Sequence, residues 1–129
     1  CDGYGMEENL NWKKTLGNQW RQYENLFPAI NQSNIDQVSL EFAGSRVPPE
    51  LMRLLPDKEI MAGVISVVGD HIESAEEVEK NILSALDHVE AERLIPCTNC
   101  GMAPISVDVA KQKLKALGEG SERAAKRIS

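Results

Sequence analysis

Apolar residues along the chain fall into alternating stretches of helix-like and strand-like spacing. From Asn18 on, Trp20, Tyr23, Leu26, Phe27 and Ile30 recur mostly every three residues, which predicts a helix with one face on a core. Pro28 breaks or restarts that helix, because it has no N–H to give the ladder. Ahead of it, residues 1–17 are polar and punctuated by Gly3, Gly5 and Gly17, the composition of a long loop. Residues 35–42 alternate Val38, Leu40 and Phe42 with Gln37, Ser39 and Glu41, so they read as a strand. Gly44 and the Pro48-Pro49 pair then lead into a short helix over 49–55, with proline at its tolerated first position. Residues 60–68 are rich in Ile and Val without polar alternation, as in a strand covered on both faces. Ser74-Ala75-Glu76-Glu77 fits a capping box, and Val78, Ile82, Leu86 and Val89 continue it as one apolar helix face. A short strand over 93–96 runs into Cys97-Thr98-Asn99-Cys100-Gly101. A last helix starts near Ser106 with Val107, Ala110, Leu114 and Leu117 on one face, falters at Gly118 and Gly120, and resumes over 121–128.

Strict alternation of strand and helix points to βαβ units around a parallel sheet, an α/β fold. A (β/α)8 TIM barrel needs about 250 residues, roughly 31 per βα unit. From Ile35 to the end there are about 95 residues for three strands, close to that figure. Three strands, with the end of a fourth at Cys1, amount to the C-terminal half of such a barrel. Residues 1–129 then form one portion of a single TIM-barrel domain whose N-terminal half lies elsewhere. The chain opens at Cys1 in a loop-like run, which suits a piece of something longer. A half-barrel leaves two sheet edges open, so a second copy or the missing half is expected to cover them.

Composition narrows the function. The chain has 129 residues and a net charge of −6, which speaks against nucleic acid as a partner, since phosphate-backbone binding needs a positive surface. Its longest apolar run, residues 61–68, is interrupted by Gly63 and Ser66 and is far short of the roughly 20 residues of a membrane span. There is no signal peptide pattern. Three cysteines allow no closed disulfide framework, so a reducing, cytoplasmic setting is expected and the thiols remain for packing, catalysis or metal.

In α/β barrels the chemistry sits where strands end. The polar groups at those points are Cys1, Glu41, Asp70 with His71, and Cys97 with Cys100. Two thiols and a carboxylate suit zinc, which accepts sulfur and oxygen donors in tetrahedral geometry. Cys97 and Cys100 form a CxxC, but no second pair completes a structural zinc site, and Gly101 to Pro104 delay the helix a redox motif would open. Buried, inert cysteines are the competing reading. His71 is a candidate acid or a solvated loop histidine. Asp70 is a substrate-binding candidate or a cap for local N–H groups. Arg46 pairs with a substrate carboxylate or with an exposed acid. Trp20 and Tyr23 read as core, Cys97 as packing, and the acidic stretch 73–79 as a solvated helix face near a helix N-terminus.

Glu41 within Val38-Ser39-Leu40-Glu41, Gly63-Val64-Ile65 leading to Glu73-Ser74-Ala75-Glu76-Glu77-Val78, Ala91-Glu92-Arg93-Leu94 and Asn99-Cys100-Gly101 keep a definite order and spacing. In these the chain resembles the C-terminal domain of the cobalamin-independent methionine synthase family over nearly its whole length. The resemblance implies a zinc-dependent methyltransferase on a (β/α)8 barrel, acting on the thiol of homocysteine to form methionine. In that family zinc is held by a His-x-Cys pair, a glutamate ending the next strand and a cysteine in a Cys-Gly turn after the last. Cys1, Glu41 and Cys100 match the two cysteines and the glutamate; the histidine would stand two residues before Cys1. Such coordination deprotonates a thiol whose free pKa is about 8.5. Glu41, the harder ligand, is the one expected to yield its place.

Two departures from the family bear on the methyl donor. Members that use methyltetrahydrofolate end the seventh strand in Asp-Ile-His, whose histidine would protonate the departing amine. Here Ser66 and Val68 occupy those two positions, and His71 follows three residues later. A shorter branch takes its methyl from methylcobalamin or a corrinoid protein, where no acid is needed, and a related reading passes the methyl to coenzyme M or another thiol. Asn99 replaces the family's usual aspartate and removes a charge beside Cys100. A non-catalytic, structural half-barrel is the alternative of another class.

Overall fold

The structure, a computed structural model, describes residues 11–12 and 14–129. Three strands, β1 (Gln37–Glu41), β2 (Glu59–Ile65) and β3 (Leu94–Thr98), lie parallel in the order β1-β2-β3. A short helix α1 (Phe27–Asn31) precedes them, α2 (Ala75–Leu86) joins β2 to β3, and α3 (Val107–Ile128) follows β3. This is the α/β alternation expected from the spacing of apolar residues.

The core lies between the sheet and its helices. Ile60, Ala62, Val64 and Ile65 of β2 are buried with Val78, Ile82 and Ala85 of α2 and with Leu51, Met52 and Leu55 of a 3-10 segment (Pro49–Leu54) and its cap. Val38 and Leu40 of β1 pack against the same cluster, so by the pleat Gln37, Ser39 and Glu41 face the other way. Among the described residues that second face is open, with Ile95 of β3 exposed.

Several expectations shift. The helix starting at Asn18 is instead a 3-10 turn (Gln22–Glu24) followed by α1, which Pro28 opens from its first turn. Asn11, Trp12 and Lys14 are helical where a loop was expected. The strand over 60–68 ends at Ile65, and the one over 93–96 extends to Thr98. Ser74 caps α2 as its sequence implies: its Oγ accepts from Glu77 N–H at 3.2 Å, and the Glu77 carboxylate accepts from Ser74 N–H at 2.7 Å.

The largest correction concerns α3, which runs unbroken through Gly118 and Gly120. It buries Lys113, Ala116, Gly120 and Ala124, leaving Val107 and Leu114 of the expected face exposed. Small residues prevail because α3 lies close against α2. A Cβ at Gly120 would stand 2.9 Å from the Ala75 carbonyl oxygen, too near for any side chain. Glu79 of α2 locks the pair, accepting from Arg123 at 2.7 Å and Arg127 at 2.8 Å.

Candidate metal centre at the strand ends

Parallel register brings three distant residues to one level of the open face. Glu41 pairs with Gly63, and Gly63 pairs with Cys97. In-register neighbours in a parallel sheet point to the same side, so Glu41, the bare position at Gly63 and Cys97 share that face. Cys97 is half-buried and hydrogen-bonded to Ser39; burial pushes its thiol pKa up, and the Ser39 contact offsets this only in part. A thiol so held stays protonated and packs, as expected of Cys97.

Beyond β3 the chain turns within two residues to Cys100. Thr98 Oγ1 donates to the Cys100 carbonyl at 3.0 Å, which fixes the turn. Asn99 carries the ladder one step further, its N–H donating to Ile65 O at 2.9 Å. Its side chain crosses β2 to reach the turn just after β1, with Nδ2 donating to Ala43 O at 2.7 Å. The crossing requires Gly63, since a Cβ there would stand 2.8 Å from Asn99 Cα and 3.0 Å from Leu40 O. Where the sequence showed only a lost charge beside Cys100, the structure shows a cross-strand tie.

Glu41 and Cys100 are thus both half-buried at the C-terminal end of the sheet. Cys1 lies outside the described residues, and among those described no three His, Cys, Asp and Glu side chains gather in one group. The donor chemistry still fits zinc: one carboxylate oxygen and one thiol at the same rim, with a third donor needed from elsewhere.

The other candidates stand apart. His71 is exposed and its Nε2 lies 3.2 Å from Glu77 Oε1, so its ring is turned to the first turn of α2. Asp70 is exposed in the same loop, beside Gly69, whose positive φ of 70° makes the bend. Arg46 Nη1 donates to Gly17 O at 3.0 Å, and its carbonyl accepts from Trp20 N–H at 2.9 Å, so it fastens the segment before α1 to the loop after β1. Tyr23 stacks on Phe27 with ring centroids 5.4 Å apart, a core contact as expected.

The solvated acidic face expected over 73–79 fails at Glu73 and Glu79, which are buried against partners from α3, and the burial of Lys113 was missed. Lys113 is wholly buried, and its Nζ donates to Glu73 Oε2 at 2.6 Å and to the His71 carbonyl. Glu73 Oε1 accepts from Ser66 N–H at 2.8 Å, closing the loop between β2 and α2. The available signal was the stripe Ala116, Gly120, Ala124 at helical spacing, one turn beyond Lys113.

Residues 20–123 match a family model described as "Cobalamin-independent synthase, Catalytic domain". A protein of Saccharolobus islandicus named "Methionine synthase" is 32% identical over 117 residues, covering 89% of this chain and 35% of that protein. A Sulfurisphaera tokodaii protein of the same name is 28% identical over 115 residues, covering 89% and 34%. The chain therefore spans about a third of the length of the curated relatives it matches. A solved structure described as a B12-independent methionine synthase from Shewanella sp. W3-18-1 in complex with selenomethionine is 51% identical; the match covers 99% of this chain and 38% of that one at a TM-score of 0.91. The parallel strands and their helices are thus a partial half of a TIM barrel.

Proposed function

The chain belongs to the cobalamin-independent methionine synthase family, through its catalytic domain, and on that premise we propose that the whole protein transfers a methyl group to the thiol of homocysteine, forming methionine. The observation that carries this reading is the shared placement of Glu41 and Cys100 at the C-terminal rim of one parallel sheet. We place residues 1–129 as the C-terminal portion of the barrel, with Cys1 and the histidine of the family pattern completing the donor set. Selenomethionine in the Shewanella structure is the selenium analogue of methionine, which supports a methionine-like amino acid as the product bound here.

Zinc, when bound, supplies the positive charge that keeps an incoming thiol deprotonated near neutral pH. Cys100 would hold zinc as the soft sulfur donor and Glu41 as the harder oxygen donor, the weaker of the two for this metal. Asn99 and Thr98 hold the Cys100 turn, and the Glu73–Lys113 pair holds the neighbouring loop. The homocysteine sulfur forms its bond to the methyl carbon as the donor's bond to that carbon breaks, and the electron pair leaves with the donor.

One feature favours a donor whose leaving group needs no proton. Val68, at the position of the family's acid histidine, is exposed, and His71 is turned toward Glu77. This supports methylcobalamin or a corrinoid protein over methyltetrahydrofolate. Incubating the full-length protein with homocysteine and each donor in turn tests both parts. We expect methionine from methylcobalamin and little from methyltetrahydrofolate. Turnover with the folate would reverse the donor assignment, and no methionine from either would leave the structural half-barrel.

A further inference from the structure

We propose that Asn99 is a positioning residue for the metal centre, setting the separation of Cys100 and Glu41 by tying the turn after β3 to the end of β1 across β2. This deepens the zinc reading above and rests on it. Strands β1 and β3 are second neighbours, about 10 Å apart in a sheet with 4.8 Å spacing. Among the described residues no backbone hydrogen bond bridges that gap, yet the Asn99 side chain does. Its N–H is fixed to Ile65 O of β2 at 2.9 Å, and its Nδ2 to Ala43 O beyond β1 at 2.7 Å. Ala43 is in turn anchored to β2, its N–H donating to Gly63 O at 2.8 Å. Glu41 lies two residues before Ala43, and Cys100 follows Asn99 directly, so both donors adjoin the two ends of one rigid tie.

Two details mark the tie as specific. The amide orientation is determined, because only the NH2 group can face the Ala43 carbonyl. As a result Oδ1 is buried over Gly63 and, among the described residues, accepts no hydrogen bond. Leaving a buried acceptor unsatisfied is unfavourable. The arrangement persists because β2 offers a bare Cα at Gly63 beneath it, where any larger residue would force the amide away.

Groups that hold metal ligands in place are typically worth 10–100-fold in metal affinity, and Asn99 acts on the segments bearing both donors rather than by bonding either one. The test is zinc affinity by competition with a chelator, and the visible spectrum of the cobalt-substituted protein, on the full-length protein and on Asn99→Ser, whose side chain is too short to reach Ala43. We expect zinc binding weakened 10–100-fold and an altered cobalt spectrum, with the thermal midpoint recorded alongside. Asn99→Leu, close in size but with no side-chain N–H to offer the Ala43 carbonyl, should weaken zinc in the same direction and serves if the serine variant does not fold. Unchanged affinity and spectrum in a folded variant, even with a lowered midpoint, would make Asn99 merely structural. A parent protein that binds no zinc would overturn the metal reading itself, and this inference with it.

Discussion

Gly120 of α3 rests on Val78 of α2 so closely that a Cβ at 120 would lie 2.5 Å from Val78 Cβ. Gly118, on the opposite side of the helix, has nothing within 4 Å of its Cβ position. The same substitution should therefore have opposite effects. Gly118→Ala gains helix propensity, about 1 kcal/mol. Gly120→Ala gains the same propensity but overpacks the helix contact, at a cost of about 1–3 kcal/mol, and also meets the Ala75 carbonyl. Denaturant unfolding should show the first variant more stable than the parent and the second less. A stabilised Gly120→Ala would mean that α3 does not approach α2 as described.

Lys113 and Glu73 are the buried charges on which the loop after β2 depends. Lys113→Met leaves Glu73 buried without its cation and should lower stability by about 3–5 kcal/mol. The double variant Lys113→Met, Glu73→Gln removes both charges and keeps an acceptor for Ser66 N–H, so it should lose less than the lysine variant alone. Unfolding curves of the three proteins decide this. A single-variant loss below about 1 kcal/mol would show the pair to be solvated.

Glu79 gives a sign to the acid response. Hydrogen bonds from Arg127, then Arg123, hold its carboxyl below the usual 4.5. A carboxyl depressed on folding stabilises the fold above its unfolded value and loses that contribution as the pH falls through the folded one. Melting curves from neutral pH down to about pH 3 should therefore decline less steeply for Glu79→Gln than for the parent. Parallel curves would show that the two arginines do not act on Glu79.

The two thiols at the end of β3 should separate by reactivity. Burial keeps Cys97 protonated, so it should be alkylated slowly at neutral pH, and Cys97→Ser should keep its zinc. Peptide-resolved alkylation rates measure the first point. A Cys97 that reacts as fast as an exposed thiol would place it in the site after all.

Much of the fold was legible because it rests on local patterns. Ser74 and Glu77 announce α2, and the alternation around Val38 and Leu40 announces β1. What escaped depends on contacts between segments remote in sequence. Gly120 reads as a helix breaker until α2 is known to press on it, and nothing local marks Lys113 for burial until Glu73 comes to meet it. The strand-end positions of Glu41 and Cys100 followed from the succession of strands. The tie from Asn99 to Ala43 did not, because it exists only through the register of all three.

Zinc analysis of the full-length protein beside its Cys100→Ser and Glu41→Gln variants tests the strand-end metal centre most directly. We expect about one zinc per chain in the parent, loss of the metal in Cys100→Ser, and weakened retention in Glu41→Gln. Full zinc in both variants would contradict a centre built on these two residues.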